Sequence, residues 1–515
     1  MSDFSGEIAK IDELIKRAEL AEAKTLLLQL VKLEPHREFL VPVAGLARRL
    51  SLPELGIKLL APLVRPAPRK IMVPTVEEKA EYAANLVRLG VLTEAHEILS
   101  ELPPHPRHFF FRALAHIAEW NYEEARKNLQ SYLKFSESDP YETLVVKVNL
   151  AHSLFFNQQF AEAETLLANL RAQTAREEKW LLHVNVLERS AQLTIKLQHW
   201  KEAQSYLTQA QHLLKSTDSI DELLIKKMTA IFELMKSGGS TESQEKINLV
   251  KQEAQKKRRW ETVRDCDFHR AKVTDNEELR LHLWHHLYFG TPYKFYRQML
   301  MTEFSISPSS LPDQYIWQIG AEKKKQSAAD YFETDTCDMG SFNVTTGENT
   351  FGTKFLKQGQ AQQRLLQVLA ADFYRPKKAI ELFSLIYPNE HFIQGHSQDR
   401  FFQACTRLRH YFCSQKIPLM IVENFGFFKL VARDKFQIKM IVHREAKPQL
   451  RPDILKRVKE FWCFVGKEPF NVAAYGKFHK ISLATASREI AQAFSNGLLE
   501  KINSGPKTRY RLQMN

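Results

Sequence analysis

"FAEAETLLANL", residues 160–170, has the residue spacing of a helix that packs closely against a neighbouring helix. Ala163 is small, Phe160 precedes it by three positions, and Leu167 follows it by four. Residues at i−3, i and i+4 lie on one face of an α-helix, so these three side chains point to the same side. A small residue between an aromatic and a leucine lets a second helix approach. The stretch therefore predicts one half of a helical hairpin.

The same pattern occurs at five further places in the first 210 residues. The small residue and the leucine four positions later are Ala23 with Leu27, Gly56 with Leu60, Ala95 with Leu99, Ala125 with Leu129, and Ala203 with Leu207. The residues three positions before the small ones are Leu20, Pro53, Leu92, Tyr122 and Trp200. Successive copies are 30 to 40 residues apart, which predicts a stack of helical hairpins that bury a continuous core.

This pattern resembles the tetratricopeptide repeat, whose second helix opens with an aromatic residue, two further residues and an alanine. The resemblance covers residues 1–215, and residues 216–335 also read as helix but without a clean repeat. It implies an α-solenoid whose concave groove binds a peptide or a protein. A rigid spacer, or an arm that forms a homo-oligomer, is the alternative that the sequence leaves open.

The composition is that of a folded protein with several domains. The chain has 515 residues, of which 44% are hydrophobic and 26% charged. It contains no run of 18 apolar residues and no basic, apolar signal peptide at its start, so we expect no membrane association and a cytoplasmic location. The five cysteines are scattered without a CxxC pair, which argues against a disulfide framework or a zinc ribbon.

The net charge of +13 is concentrated in the last third of the chain. Residues 338–440 contain 14 Lys and Arg against 8 Asp and Glu, and residues 441–515 contain 14 against 6. These two segments carry +6 and +8, which leaves −1 for residues 1–337. A basic segment joined to a neutral one predicts a polyanionic partner for the basic part, with nucleic acid as the first candidate.

Residues 338–440 change from the helical pattern to a mixed one. A β-like stretch, "FNVTTGENTFGTKF" (342–355), precedes three helical segments and two short apolar runs. Four residues of the third helical segment form one apolar stripe and leave a polar and basic face: Phe401, Cys405, Leu408 and Phe412.

The segment resembles the OmpR/PhoB-type winged-helix effector domain, which has an N-terminal β-meander, three helices and a closing hairpin. The resemblance rests on Arg407-Leu408-Arg409 in the third helix and on Gly426-Phe427-Phe428-Lys429-Leu430 in the hairpin. It implies that the third helix enters the major groove of duplex DNA, with contacts from Gln403, Arg407, Arg409 and Lys429. Phe402 departs from the family, which has a polar residue there. No phosphoacceptor receiver domain precedes the segment, so control by phosphorylation is not implied.

Residues 450–515 read as three helices and a basic hairpin. Ser482 is the predicted N-cap of the third helix, and its predicted buried stripe is Leu483, Ala486, Ile490 and Phe494. The segment resembles a bacterial winged helix-turn-helix in Ile481, Ser482, Thr485, Arg488, Ile490, Gly497, Leu499, Tyr510 and Leu512. This resemblance implies DNA contacts from Ser482, Thr485, Ser487, Arg488 and Gln492 on the helix and from Lys507 and Arg509 on the hairpin.

The expected fold class is therefore mostly α, with a tetratricopeptide-like solenoid followed by two small α+β winged-helix domains. The expected function is a transcription regulator in which the repeats receive a signal and both winged helices bind duplex DNA. No P-loop, GxSxG or HExxH motif is present, so we expect neither an enzyme nor a cofactor. A scaffold of the PCI type or an RNA-binding adaptor is the alternative.

Two short clusters are assigned no function. His282, His285 and His286 fall within one helical turn, and we interpret them as packing or surface residues rather than metal ligands. "KKRRW" at 256–260 is interpreted as a solvated helix face.

Overall fold

The computed structural model describes most of the chain. The described residues are 4–17, 19–66, 72–135, 139–214, 221–307, 311–312, 314–319, 340–350, 356–357, 359–388, 390–393, 395–434, 436–441, 452–466, 468–495, 498–502 and 508–512. Gly497 and Lys507, two residues of the predicted C-terminal winged helix, lie outside them.

Helices follow one another without an intervening strand through the described part of residues 4–303. They are α1 (Phe4–Lys16), α2 (Leu20–Lys32), α3 (Arg37–Arg49), α4 (Pro53–Val64), α5 (Val76–Leu89), α6 (Leu92–Glu101), α7 (Pro106–Ala118), α8 (Tyr122–Tyr132), α9 (Pro140–Phe156), α10 (Phe160–Arg176), α11 (Trp180–Lys196), α12 (Trp200–Leu214), α13 (Asp221–Lys236), α14 (Thr241–Lys256), α15 (Trp260–Val273), α16 (Glu277–Phe289) and α17 (Lys294–Glu303). Each helix packs against the next along the chain, which gives a layered array.

The predicted helical hairpins are confirmed. The second helix of each one, namely α2, α4, α6, α8, α10 or α12, begins at the residue that the pattern placed three positions before its small residue. All six small residues and all six partner leucines are buried. Ser243 and Ile247 of α14 are also buried and four positions apart, so a seventh hairpin follows the pattern with serine as its small residue. Residues 4–214 thus form a tetratricopeptide-like helical array.

The turns inside the hairpins α7–α8, α9–α10 and α11–α12 share one backbone conformation. The residue two positions before the next helix has a positive φ, as at Trp120 (66°), Gln158 (60°) and Gln198 (61°). The following amide donates to a carbonyl five residues earlier, for example from Gln159 to Leu154 at 2.9 Å. This is the Schellman arrangement that closes a helix end. Because such a turn is short and satisfies the orphan carbonyls, consecutive helices are held close together.

The array continues into a mixed module. Its elements are β1 (Gln314–Ile319), β2 (Ser341–Asn343), α18 (Ala361–Ala370), β3 (Lys377–Lys378), α19 (Ala379–Ile386), α20 (His396–Ser414), β4 (Leu419–Asn424), β5 (Phe427–Ala432) and β6 (Phe436–Ile441). One sheet has the strand order β3-β5-β4 and the other the order β1-β6-β2. We refer to residues 340–441 as the first module.

The expected β-meander at the start of this module is not what the described residues form. β2 is three residues long and pairs in parallel with β6, with Ser341 opposite Gln437. The chain turns directly after β2, because the Asn343 side chain accepts from the amides of Thr345 and Thr346 at 3.0 and 3.1 Å. Such a side-chain turn competes with continued strand pairing. Residues 351–355 of the predicted meander lie outside the described part.

The apolar stripe predicted for the third helix of the module is confirmed in α20. Phe401, Cys405 and Leu408 are fully buried, and Phe412 is 2% exposed. The i, i+4, i+7, i+11 spacing places them on the face that packs against α18, α19 and β4. The polar residues between them consequently face outward.

The C-terminal part contains α21 (Pro452–Val465), α22 (Val472–His479), α23 (Leu483–Ser495), β7 (Leu499–Lys501) and β8 (Tyr510–Leu512). β7 and β8 pair antiparallel, and Phe470 and Tyr510 exchange two backbone hydrogen bonds at 2.9 and 2.7 Å. We refer to residues 452–512 as the second module.

The predicted buried stripe of α23 is partly wrong. Ala486 and Ile490 are buried as expected, but Leu483 is 64% and Phe494 44% exposed. The buried face instead includes Glu489, because this carboxylate accepts hydrogen bonds from two side chains of the neighbouring helices. The core covers α23 from Ala486 to Ala493, so Leu483 before this stretch and Phe494 after it lie outside the core.

The chain divides into two compact units. The first comprises Met1–Ser310 and Gln314–Met440, so the helical array and the first module belong together; the second comprises Leu311–Asp313 and Ile441–Asn515. None of the helices in the described residues combines the length and apolarity needed to cross a membrane.

Candidate nucleic-acid interface and repeat groove

The outward face of α20 carries two of the predicted DNA contacts. Gln403 and Arg407 are exposed one turn apart, and they line a shallow depression with Asp399, Phe402 and Thr406. Phe402 is 41% exposed, which is unusual for a large aromatic and fits its position on this open face. The helix therefore presents a guanidinium, an amide and an aromatic ring to solvent on one surface.

Arg409 lies on a different side of α20. Its Nε and Nη2 atoms donate to the backbone carbonyl of Ile421 in β4, at 3.3 and 3.0 Å. The guanidinium thus links the helix to the sheet of its own module. The other arginine of the Arg-Leu-Arg motif, Arg407, is exposed and does not make this hydrogen bond to Ile421.

The hairpin of the first module, β4 with β5, ends in a tight turn. Phe425 and Gly426 both have positive φ, 53° and 78°, and the Gly426 amide donates to the Glu423 carboxylate at 2.6 Å. Lys429 lies on β5, opposite Val422, and is exposed. Arg258, from the turn before α15, lies 4.3 Å from the ring centroid of Phe425. The basic stretch 256–260 is thereby brought beside this hairpin.

In the second module the predicted N-cap of α23 is confirmed. Ser482 Oγ accepts from the Thr485 amide at 3.1 Å and lies 2.9 Å from the Thr485 hydroxyl. Ser487 and Arg488 are exposed on the next turn, and Arg488 Nε donates back to the Ala484 carbonyl at 3.3 Å. The side chain of Gln492 lies outside the described residues.

The β7–β8 hairpin carries the remaining predicted contact that the structure describes. Arg509 is exposed immediately before β8, and Arg511 is exposed within it, opposite Glu500. Lys507 lies outside the described residues. Two arginines two positions apart on a strand point to the same face, so the hairpin has a basic side.

A buried carboxylate holds the helices of the second module together, and sequence reasoning missed it. Glu489 is 5% exposed and accepts from Arg457 of α21 at 3.0 and 2.6 Å and from Tyr475 of α22 at 3.0 Å. Burial, followed by the hydrogen bond to Glu489, raises the pKa of Tyr475. All three helices therefore meet at one charged group. A sequence pattern assigns an acidic residue such as Glu489 to the exposed face of a helix. For this reason its buried position was not predicted.

One segment of the first module packs into the groove between two distant groups of array helices. The segment from Asp372 to Glu381, which includes β3 and enters α19, contacts α4 and the end of α5 on one side. On the other side it contacts α15, α16 and the start of α17, although these helices are far apart in sequence from α4. Ile380 belongs to the same buried cluster as Ile57 and Leu60 of the array. Glu381 lies so close to Gly90 that an added Cβ there would meet its carboxylate at 3.0 Å. We refer to residues 372–381 as the groove segment.

Polar contacts fix the other side of the groove segment. Tyr374 donates from its hydroxyl to Asp267 of α15 at 3.1 Å. The Phe373 amide donates to the Gly290 carbonyl at 3.1 Å, and Arg375 Nη2 donates to the Tyr293 hydroxyl at 3.2 Å. The Phe373 ring also stacks on Trp317 with centroids 4.0 Å apart. These backbone, hydroxyl and aromatic contacts together fix the position of the groove segment relative to the helices of the array.

Within the groove segment, four charged side chains form a buried network. Lys377 is 3% exposed and lies 3.0 Å from Asp372 and 3.2 Å from Glu381, and Arg375 pairs with the same two carboxylates. Burial alone would raise the pKa of Asp372, but Lys377 and the nearby arginines lower it. The two carboxylates conversely raise the pKa of Lys377 against the effect of burial. The network thus stabilises the ionised forms of Asp372 and Lys377 inside the molecule.

The histidines of α16 have the properties of packing residues. Burial lowers the pKa of His285 to about 4 and that of His286 to about 3. His286 packs against Phe373 and Tyr374 of the groove segment, with centroids 4.8 and 5.6 Å apart. A different trio, His96, His116 and Glu119, has donor atoms within 4.8 Å of one another and is the group of described residues that could hold a metal ion.

The comparisons with known proteins assign no family. No family model matches the chain, and no curated protein matches it. Among solved structures, the chain is similar to a Rap protein crystallised in complex with competence and sporulation factor. The TM-score is 0.39 at 12% identity, over 59% of this chain and 87% of that one.

Proposed function

We propose that this protein is a DNA-binding transcription regulator whose two modules contact duplex DNA and whose helical repeats receive a protein or peptide signal. The observation that carries the proposal is the location of charge. The modules hold the entire positive excess of the chain, and each contains three helices and a hairpin. Phosphate neutralisation supplies most sequence-independent affinity for DNA, so a basic module of this kind favours a nucleic-acid partner.

The second module is the main reader in this proposal. Its order, α21, the bridge at Phe470, α22, α23 and the β7–β8 hairpin, supports a winged helix-turn-helix assignment. In that assignment α23 enters the major groove and Ser482, Thr485, Ser487 and Arg488 face bases and phosphates. Arg509 and the basic side of the hairpin contact phosphates, which position the protein without reading sequence.

The first module is the second reader. Its three helices followed by the β4–β5 hairpin support the OmpR/PhoB-type assignment, with Gln403 and Arg407 on α20 and Lys429 on the hairpin as contacts. Arg409 stabilises the fold of the module, because its guanidinium donates to the Ile421 carbonyl. The basic turn around Arg258, beside the hairpin, adds positive charge to the same surface.

A scaffold of the PCI type remains the second candidate, and one observation favours it. The groove segment anchors the first module to the array through buried contacts, as in a structural element that completes a scaffold. In either function the chain acts by binding rather than by catalysis. The proposed location is the cytoplasm, where a regulator of this type meets bacterial DNA.

The test measures affinity against salt concentration for the full chain on duplex DNA and on single-stranded RNA. A DNA reader shows a steep decline on duplex DNA, with a slope of roughly −0.9 per phosphate contact. Arg488→Ala should reduce affinity for a selected site by about 1–3 kcal/mol and reduce discrimination against a scrambled site. Lys459→Ala, an exposed charge on α21, is the matched control. Equal binding of both nucleic acids, or an Arg488→Ala variant that behaves like the control, would favour the scaffold.

A further inference from the structure

Two histidines and a glutamate come together where α6 packs against α7. His96 lies in α6, directly after the buried Ala95 of the repeat pattern, and His116 lies in the last turn of α7. Glu119 is the C-cap of α7, three positions after His116, so these two side chains are neighbours on the helix surface. We refer to His96, His116 and Glu119 as the His-Glu cluster. Because α6 ends one hairpin and α7 begins the next, the cluster joins two consecutive repeats.

The side chains of the cluster are spaced like the ligands of one metal ion. His96 Nε2 lies 3.1 Å from Glu119 Oε2, and the His96 and His116 rings have centroids 4.7 Å apart. One possible ligand atom from each residue lies within 4.8 Å of the other two. Ligand atoms at zinc distances of about 2.0–2.1 Å are roughly 3.3 Å apart in a tetrahedral site. The contact between His96 and Glu119 is close to this spacing, and the remaining atom has to approach by at most about 1.5 Å.

The contact between His96 and Glu119 is not a hydrogen bond. Although the two atoms are 3.1 Å apart, His96 Nε2 has no hydrogen-bond partner among the described residues. The Glu119 oxygen therefore lies against the nitrogen without the alignment that a shared proton requires. A nitrogen and a carboxylate oxygen that meet in this way have the arrangement of two ligands of a common cation.

A second pair of neighbouring histidines, at the start of α7, provides a contrast. The rings of His105 and His108 have centroids 4.9 Å apart, almost the separation found in the cluster. Their nitrogens contact the backbone, since His105 Nδ1 accepts from the Arg107 amide at 3.3 Å and His108 Nδ1 lies 2.8 Å from the Pro103 carbonyl oxygen. No third ligand completes this pair within the described part of the chain. Proximity of two imidazoles alone is thus not what distinguishes the His-Glu cluster.

The carboxylate of Glu119 also differs from its acidic neighbours. Glu94 pairs with Arg65 at 2.9 Å, and Glu124 pairs with Lys127 at 2.7 Å. The ion-pair partner of Glu119 within the described residues is His96, and no lysine or arginine of that part of the chain pairs with it. All three side chains of the cluster are partly exposed, so an ion reaches them from solvent. The negative charge of Glu119 is consequently available to a metal cation.

We propose that the His-Glu cluster binds one Zn²⁺ ion, held by a ring nitrogen from His96, a ring nitrogen from His116 and a carboxylate oxygen from Glu119. Water occupies the fourth position, as in other zinc sites with three protein ligands. Two imidazoles and a carboxylate suit Zn²⁺, whereas Mg²⁺ and Ca²⁺ prefer ligand sets made of oxygen. The ion links α6 to α7 and fixes one hairpin relative to the next. This site does not depend on the proposed binding of DNA.

The first experiment measures metal binding by the full-length protein after treatment with a chelator. Zn²⁺ is titrated against a coloured zinc chelator in a buffer that does not coordinate metals, and Mg²⁺ is tested in parallel. We expect one Zn²⁺ per chain to be bound in competition with the chelator, and no competition by Mg²⁺. Co²⁺ in the same site should show the strong visible absorption of a four-coordinate ion. Failure to compete for Zn²⁺, or the weak absorption of six-coordinate Co²⁺, overturns the proposal.

The variants that test the ligands are His116→Gln and Glu119→Gln, which keep a polar side chain of similar size. Each should weaken Zn²⁺ binding at least about tenfold, because even the loss of an outer-shell partner of a metal ligand costs roughly 10–100-fold. The matched control is His105→Gln, which removes an exposed histidine of the contrasting pair and should leave Zn²⁺ affinity unchanged. If both ligand variants bind Zn²⁺ like the control, the ion binds elsewhere and the proposal is wrong.

Thermal melting separates a zinc link between hairpins from a defect in folding. Zn²⁺ at about 100 times its dissociation constant should raise the melting temperature of the parent by about 2 °C or more, since the ion binds the folded chain. The same addition should not shift His116→Gln or Glu119→Gln, and without metal all three proteins should melt alike. An equal shift in the parent and both variants, or none in the parent, contradicts the proposed link.

Discussion

The two basic modules contain the same kinds of element, three helices and a hairpin, but they are incorporated into the molecule differently. The first belongs to one compact unit with the helical array, and its Ile380 contributes to the array's own core. The second has a separate core built around Val458, Phe461 and Tyr475. Similar elements can therefore be an integral part of a scaffold in one place and a self-contained unit in another. We expect the first module to respond to the state of the repeats and the second to act independently.

Each module is also organised by a buried charge, and the two differ in what that charge connects. In the first module, Lys377 joins carboxylates of the groove segment, which is itself packed between distant helices of the array. In the second module, Glu489 joins the three helices of the module to one another. A substitution at the first site should thus affect the whole first unit, whereas one at the second should remain local.

Truncation should give the largest difference between the modules. A chain that ends at residue 441 retains the complete first unit and should keep its melting temperature. A chain that ends at residue 337 lacks the groove segment and exposes the apolar surface that Ile380 and Phe373 cover. Each buried apolar side chain contributes about 1.5–3 kcal/mol, so its melting temperature should fall by roughly 10 °C or more. Calorimetry of both chains checks this, and equal melting temperatures would mean that the module is not part of the array.

Lys377→Met should be the most damaging of the single substitutions considered. It leaves Asp372 and Glu381 buried with Arg375 as the remaining cation that pairs with both carboxylates. Breaking a buried ion pair from one side costs about 3–5 kcal/mol. The neighbouring Lys378, which pairs with the half-exposed Glu54, is the matched control, and Lys378→Met should cost less than about 1 kcal/mol. Denaturant unfolding of both variants measures the difference. Similar values would indicate that water reaches the Lys377 network.

Glu489→Gln should destabilise the second unit and leave the first unchanged. The substitution keeps the shape of the side chain but weakens the charge-assisted hydrogen bonds from Arg457 and Tyr475, at a cost of about 1–3 kcal/mol. The readout is hydrogen exchange, resolved by segment across the full chain. Faster exchange confined to residues 452–512 is the expected result. Faster exchange in the helical array as well would contradict the independence of the two units.

The smallest effect should separate the two arginines of α20. Arg409→Ala removes two hydrogen bonds to the Ile421 carbonyl and should reduce stability by about 1 kcal/mol. Arg407→Ala removes an exposed side chain and should leave stability within about 0.5 kcal/mol of the parent. If the first module reads DNA, Arg407→Ala weakens DNA binding at unchanged stability. If instead Arg409→Ala weakens DNA binding and Arg407→Ala does not, the side of α20 that faces DNA is the one that carries Arg409.

The sequence predicted the helical array well because its signal is periodic and local. Phe160, Ala163 and Leu167 lie within about two helical turns, so spacing alone determines which face is buried. The turns could also have been found, since an aromatic residue follows two positions after Trp120, Gln158 and Gln198. The residues of α23 that are buried were harder to predict, although its N-cap, Ser482, was predicted correctly. Leu483 has the correct spacing, but spacing does not show how far along the helix the core extends. The buried Glu489 also leaves no periodic signal, because its burial depends on partners in other helices.

The groove segment could not be predicted, for a different physical reason. Its residues read as the ordinary start of an amphipathic helix. The partners that bury them lie far earlier in the chain, 82 positions before Arg375 for Tyr293 and 107 positions before Tyr374 for Asp267. Tyr374 and Asp267, for example, form a hydrogen bond that no local pattern encodes.

The groove segment would also set a concentration threshold for any partner that used the same surface of the array. A segment tethered to the protein it binds competes at an effective concentration of roughly millimolar. A free partner present at about 1 μM must therefore bind the emptied groove roughly a thousand times more tightly than the chain's own segment does before half of the molecules exchange. Weak or transient proteins that happen to fit the groove are excluded by this competition. The covalent connection between array and module thus acts as a filter, and it would be lost if the two were produced as separate chains.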